Sequence, residues 1–208
     1  MDNPNNGEGR SIDGAATSIE VSVIIPVYND IDRLTPCIDA LAAQVLPQDR
    51  FEVIVIDNGP TAGFDDRRAT ISGMLSGMLH AHVLHEPKPG SYSARNLGLE
   101  MAVGRVLAFT DADCVPDPNW LAAGLAYLDE REDAAAAAGS ITVFAADPAA
   151  RTAAELYELR HGFRVGKYIE TASFGPTANL FVRRTALLEV GPFDATLMSG
   201  GDKEWGCG

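Results

Sequence analysis

Short apolar runs that each break off at a polar or turn residue, with helix-like segments between them, constrain this chain more than any other feature. Val21–Ile25 (VSVII) is closed by Pro26, Glu52–Ile56 (EVIVI) runs into Asp57, and Ala81–His85 is followed by a Pro/Gly-rich loop. Val106–Phe109 (VLAF) ends at Thr110. Runs of this length, bounded by turn chemistry, predict buried strands. Between the first two, Ile31, Leu34, Ile38, Leu41, Ala42 and Val45 recur at three- and four-residue steps, the stripe of an amphipathic helix. Asn29 and Asp30 are its candidate caps, and Pro36 argues for a regular helix starting near Thr35. Helices are also expected over about Asp65–Leu79, weakened by Gly73 and Gly77, and over Tyr92–Val103. Strand and helix in repeated alternation predict an α/β fold with a mostly parallel sheet covered on both faces.

The fourth run carries the most chemistry. In Arg105–Pro116 (RVLAFTDADCVP), Asp111 and Asp113 stand one residue apart at a strand's C-terminal end. Ligands of open α/β sheets bind beyond those ends. Two carboxylates at that spacing can turn toward one hard divalent cation, or they can simply shape a turn and cap the helix after Pro116. Asp57 closes a neighbouring strand, where Asn58 and Gly59 also suit a plain turn. A further acidic cluster, Asp202 and Glu204, lies downstream in SGGDKEWGCG. Its separation suits a scheme in which one carboxylate set holds a metal and another group takes a proton.

At 208 residues the chain holds one full-sized domain, expected over 20–208 after a polar, disordered leader at 1–19. Two parts are expected within it, one over about 20–116 and one over about 117–208. A net charge of −13 argues against a general nucleic-acid binder or an anionic-membrane binder. No apolar stretch approaches the roughly 18 residues of a membrane span, and no signal peptide pattern opens the chain. Cys37, Cys114 and Cys207 show no metal spacing, so a reduced, cytoplasmic setting is expected, with peripheral membrane association left open. Cys114 reads as a small buried residue. His80, His82 and His85 lack a convincing third ligand and read as structural. His161 is undecided between a structural and a site-lining place. Trp120 and Trp205 read as packing residues, although Trp205 could line a pocket beside Asp202.

Further along, Trp120–Leu128 and Arg151–Phe163 predict helices, and Gly139–Phe144 and Ala178–Val182 predict strands. Thr185–Val190 predicts a helix stopped by Gly191. The glycine-rich acidic loop then ends the chain without a closing element, which suggests a C-terminal truncation. No GxxxxGK[ST], GxGxxG or GxSxG pattern occurs, which removes the main support for P-loop, dinucleotide-binding and α/β-hydrolase readings.

Taken together, VSVIIPVYND, EVIVIDNG, GSYSARNLGLEMAVG, VLAFTDADCVPDPNWL, ANLFVRR and SGGDKEWG resemble, in order, the inverting family 2 glycosyltransferases of GT-A fold. The resemblance implies a Rossmann-like sheet with a smaller mixed acceptor-side part, a nucleotide-diphosphate sugar donor, and Mn²⁺ or Mg²⁺. It implies that Pro26 and Val27 border the base, Asp57 hydrogen-bonds it, and Arg95 lies near base and phosphates. Asp111 would contact the ribose or sugar and share the metal, Asp113 would ligate that metal, and Asp202 would be the general base. Here the family's GED-like motif reads GGD, and Glu204 is a neighbour that could face the acceptor. A carbohydrate, a lipid-linked group or another hydroxyl compound would be the acceptor; the oligomeric state stays open, a homo-oligomer included. Two alternatives stand beside this: a nucleotide-sugar binding module without turnover, and a sugar-nucleotide pyrophosphorylase. The second expects a lysine-containing glycine-rich loop where this chain has PVYND.

Overall fold

The computed structural model describes residues 19–145, 149 and 151–206. All but the last residue of the expected leader, and Cys207, lie outside the described residues. A six-stranded sheet runs in the order β3-β2-β1-β4-β6-β5. Its strands are β1 (Val21–Val27), β2 (Phe51–Asp57), β3 (Ala81–His85), β4 (Val106–Thr110), β5 (Ala136–Ala138) and β6 (Asn179–Arg183). The first four are mutually parallel. β6 runs antiparallel to β4, and β5 antiparallel to β6. The chain moves outward from β1 to β3 and returns to the other side of β1 with β4. That reversal opens the crevice where α/β sheets bind ligands.

Residue alternation along each strand feeds two cores. Val21, Val23, Ile25, Val53, Val55, Val106 and Ala108 face one layer. It is covered by α1 (Ile31–Ala42), α2 (Phe64–Met74) and α4 (Trp120–Glu130). Ile24, Ile54, Ile56, Leu107, Phe109, Leu180 and Val182 face the other. That layer is covered by α3 (Ser91–Met101), α7 (Arg184–Val190), Phe193 and Trp205. Gly98 lets α3 lie flat on the sheet: a Cβ there would stand 2.8 Å from Ile24 and 2.9 Å from Ile56.

Several boundaries differ from expectation. α1 starts at Ile31 rather than near Thr35 and carries Pro36 inside it. The hydrogen bond forfeited there would have gone to the carbonyl of Asp32, an exposed residue that water can serve. Asp30 occupies the N-cap position without a side-chain cap bond, and pairs instead with Arg33 at 3.3 Å. α2 ends at Met74 and tightens into a 3-10 turn over Leu75–Gly77, so its two glycines fall where the helix loosens. The strand expected at Gly139–Phe144 is absent; the alanine tract before it forms β5. Gly139 makes the last backbone bond, donating to the Asn179 carbonyl at 3.0 Å, and Ser140 is met by the Asn179 side-chain amide at 2.9 Å instead of by a continuing ladder. The expected 151–163 helix is α5 (Ala153–His161), begun by a Thr152/Glu155 capping box, and a separate α6 (Val165–Ala172) follows. The stretch read as a terminal loop is a short helix, α8 (Gly201–Gly206). Among the described residues no helix is long and apolar enough to cross a membrane.

Candidate active site

The carboxyl ends of β1, β2 and β4 carry Pro26, Val27, Asp57, Asp111 and Asp113, while α3 supplies Arg95 and α8 supplies Asp202. Asp57 is the last residue of β2, sits beside Val27 of β1, and is 1% exposed. One carboxylate oxygen accepts the Gly59 N–H at 2.9 Å and the other the Arg67 Nε–H at 2.8 Å. Arg67 also donates to the Pro60 and Ala62 carbonyls, so a single ion pair folds the turn after β2. Asn58 fastens that turn to the next: its amide nitrogen donates to the Glu86 and Lys88 carbonyls, both at 2.7 Å, and its oxygen accepts from Gly90 N–H at 2.9 Å. His85 stacks on Phe64 at 4.3 Å, with Nε2 3.1 Å from the Gly59 carbonyl. Asp57 is therefore a preset carboxylate in a rigid wall, with Val27 buried and Pro26 partly open alongside.

Arg95, in the second turn of α3, has a side chain only 4% exposed. It donates to Asp111 at 2.6 Å and lies 5.6 Å from the centre of the Tyr92 ring. Among the described residues its Nε has no partner. The arginine thus lies beneath Asp111 and holds it. Burial pushes the Asp111 carboxyl above its ordinary range; Arg95 pulls it back, while Asp113 and Asp202 add to the rise. Asp113 points outward, 55% exposed on its side chain, with Arg33 3.6 Å away.

Asp202 sits in the first turn of α8. Its carboxylate accepts the Thr177 N–H at 3.1 Å and the Thr177 hydroxyl at 3.2 and 3.3 Å. Its own N–H donates to the Tyr92 hydroxyl at 3.3 Å. The two glycines before it have separate reasons. Gly200 has φ +76°, and a Cβ on Gly201 would come within 2.6 Å of the Tyr92 ring. That contact explains GGD in place of GED: a glutamate side chain at 201 would meet the tyrosine. Trp205 packs on Phe193 at 5.2 Å and donates to the Gly191 carbonyl at 2.8 Å, which makes it a packing residue. Trp120 likewise donates to Asn179 at 2.8 Å and packs on Phe181. Glu204 is exposed.

The donor set suits a hard cation only in part. Asp111 and Asp113 supply oxygen ligands in the number that Mg²⁺ or Mn²⁺ commonly takes from protein when substrate phosphates supply others. Among the described residues, no cluster of three or more His, Cys, Asp or Glu could hold a metal ion. Cys37 is buried, its thiol pushed up to about 12 chiefly by burial, and Cys114 is raised for the same reason. Neither is set up as a nucleophile. Sequence reasoning missed Arg67, Asn58, Tyr92 and Thr177. Tyr92 and Asn58 lay within quoted motifs, Asn58 as a turn residue, but their partners are far away in the chain, and Arg67 and Thr177 carry no local signal.

A sheet of this order, with carboxylates gathered at the switch between β1 and β4, is the GT-A fold. Mannosyltransferase PcManGT from Pyrobaculum calidifontis, solved with GDP-Man and Mn²⁺, matches with a TM-score of 0.68 at 21% identity, over 89% of this chain and 50% of that one. TarS 1-349 from S. aureus, solved with UDP-GlcNAc, matches with a TM-score of 0.61 at 25% identity, over 90% of this chain and 52% of that one. The family model for glycosyl transferase family 2 matches residues 22–193, and the chain belongs to that family. Glycosyltransferase AglE of Haloferax volcanii is 35% identical over 185 residues, which is 89% of this chain and 59% of AglE. The pre-mycofactocin glycosyltransferase of Mycobacterium tuberculosis is 29% identical over 187 residues, 88% of this chain and 37% of that protein. The chain therefore spans under two thirds of the length of these relatives.

Proposed function

We propose that the protein moves a sugar from a nucleotide-diphosphate sugar to an acceptor hydroxyl in a single, inverting displacement. The observation that carries this reading is the contrast among carboxylates at one sheet edge: Asp57 and Asp111 are backed by arginines, and Asp202 is held by uncharged donors. Family membership supports sugar transfer, and the nucleotide-sugars bound by PcManGT and TarS support the donor class.

Pro26 and Val27 border the base, and Asp57 accepts a hydrogen bond from it with acceptor capacity left over from Gly59 and Arg67. Asp111 meets the ribose or sugar, and Arg95 serves by fixing Asp111 rather than by touching phosphate. Asp113, with Asp111, would hold Mn²⁺ or Mg²⁺, whose charge would offset that of the departing diphosphate. In the transfer, Asp202 takes the acceptor's hydroxyl proton and the acceptor oxygen bonds to the anomeric carbon. The bond from that carbon to the phosphate oxygen breaks, and its electron pair leaves with the nucleoside diphosphate. One displacement inverts the carbon.

Calorimetric titration with UDP, GDP, dTDP and CDP, each with and without Mn²⁺, tests the donor half. One diphosphate is expected to bind at least about tenfold tighter with metal, a difference of roughly 1.4 kcal/mol. Asp113→Ala should erase that difference. Binding that ignores the metal and survives Asp113→Ala unchanged means the cation does not sit there.

A further inference from the structure

Asp202 lies on a six-residue helix that follows a left-handed glycine, so its own element fixes its carboxylate poorly. Other parts of the chain do that work. Thr177 is 3% exposed, just ahead of β6. Its place is set by strand pairing: Thr110 opposes Asn179 in the β4–β6 ladder, the Thr110 hydroxyl donates to the Ala178 carbonyl at 3.2 Å, and Asn179 N–H closes a turn onto the Pro176 carbonyl at 3.1 Å. From this anchored position Thr177 sends two donors, its N–H and its hydroxyl, to the one Asp202 carboxylate. A buried hydroxyl needs a partner, and the bonds this one makes as donor both go to Asp202. Two donors from one residue fix the carboxylate's rotation as well as its distance. A carboxylate has about four acceptor sites, so capacity remains for an incoming hydroxyl.

We propose that Thr177 is a positioning residue for sugar transfer, tying the proton-accepting carboxylate to the end of β4, where Asp111 marks the donor. Through Thr177 the spacing between base and donor is set by the sheet ladder rather than by the short helix. This rests on the reading of Asp202 as the base. The Tyr92 hydroxyl, which accepts the Asp202 N–H, supports the same placement from α3. A general base that drifts by a fraction of an ångström loses rate while the donor still binds, because proton transfer needs hydrogen-bond reach in the transition state.

The test uses hydrolysis of GDP-mannose and UDP-N-acetylglucosamine with Mn²⁺, water being the acceptor, together with donor affinity by calorimetry. Thr177→Val keeps the branched shape and the backbone N–H but removes the hydroxyl, so the fold is retained; circular dichroism and the melting curve check this. The expected result is a kcat lower by about tenfold, the scale of a lost hydrogen bond to a charged group, with donor Kd within about twofold of the parent. Thr177→Ser, which returns the hydroxyl, should restore kcat to within about threefold. A Thr177→Val enzyme with unchanged kcat, or one that loses Kd and kcat together, overturns the proposal. Asp202→Asn separates the two layers. If it abolishes hydrolysis while Thr177→Val does nothing, the positioning role alone fails; if Asp202→Asn hydrolyses normally, the base assignment fails and takes the positioning role with it.

Discussion

At the edge proposed to bind the donor, formed by the ends of β2 and β4, the carboxylates of Asp57 and Asp111 each meet an arginine. On the acceptor side, formed by the lead into β6 and by α8, Asp202 meets the hydroxyl and amide of Thr177, and no cation pairs with it among the described residues. The chemistry asked of each side accounts for the difference. A carboxylate that binds must keep its orientation, and one guanidinium nitrogen holds each of these, at 2.8 Å on Asp57 and 2.6 Å on Asp111. A carboxylate that takes a proton must not be locked ionised by a neighbouring cation, so neutral donors suit it better.

The largest effect separating the two sides is expected from Asp202→Asn. An amide cannot accept the proton, and general-base removal typically costs about 10²–10⁴ in rate. Donor affinity should stay within about twofold, because the substitution touches no residue proposed to bind the donor. Initial rates beside calorimetry check both numbers. A parallel loss of donor affinity would place Asp202 among the donor ligands and erase the contrast.

Next in size is Arg67→Ala, which strikes the donor edge through its folding. Removing one partner of a buried ion pair leaves Asp57 uncompensated, a cost of about 3 kcal/mol, and also frees the Pro60 and Ala62 carbonyls. Denaturant unfolding should show the loss, and nucleotide affinity should drop with it. Asp57→Asn should destabilise less, since an amide oxygen can still accept from Gly59. Equal unfolding midpoints for parent and Arg67→Ala would mean the pair adds nothing to the fold.

How much could be read beforehand follows the same divide. β1, β2 and β4 were legible because buried parallel strands are runs of Val, Ile, Leu and Phe, a pattern that is local. Asp57, Asp111 and Asp113 were legible for a related reason: they stand where those runs stop. The acceptor side was harder. β5 is an alanine tract made a strand only by the presence of β6, and α8 begins at two glycines that disfavour a helix until Tyr92 packs against Gly201. Arg67, Asn58 and Thr177 work across turns or across 25 residues of chain, as Thr177 does to Asp202. Pairings of that kind depend on the finished topology, which periodicity does not encode. Arg95 was found, but its hold on Asp111 at 2.6 Å, made across 16 residues of chain, was not.

The two sides also meet electrostatically, which gives a pH test. Burial raises the Asp111 carboxyl, and the charge on Asp202 raises it further. Protonated Asp111 cannot serve a cation or a ribose hydroxyl as an anion would. Metal-dependent nucleotide binding should therefore weaken as pH falls through a midpoint above the ordinary Asp value of 3.8, and recover above it. Asp202→Asn removes one negative neighbour, so the midpoint should move down. Titrating nucleoside diphosphate affinity against pH in both proteins checks the sign. A midpoint that stays still would mean the two sides are screened from each other.

The smallest expected effect is the most local. In Tyr92→Phe the ring remains, so its stacking with Phe193, its contact with Arg95 and its fit against Gly201 all persist. Only the hydroxyl that accepts the Asp202 N–H at 3.3 Å is lost. A neutral hydrogen bond of that length belongs at the weak end of about 0.5–1.5 kcal/mol, or roughly a two- to threefold fall in kcat. Affinity for the nucleotide should not change, because Arg95 keeps its hold on Asp111 without the hydroxyl. The pairing of Tyr92→Phe with Thr177→Val is then informative. If both groups hold the same carboxylate in one geometry, the double variant should lose less than the product of the single losses. Losses that multiply would show that α3 and β6 position Asp202 independently, and the acceptor side would then rest on two separate supports.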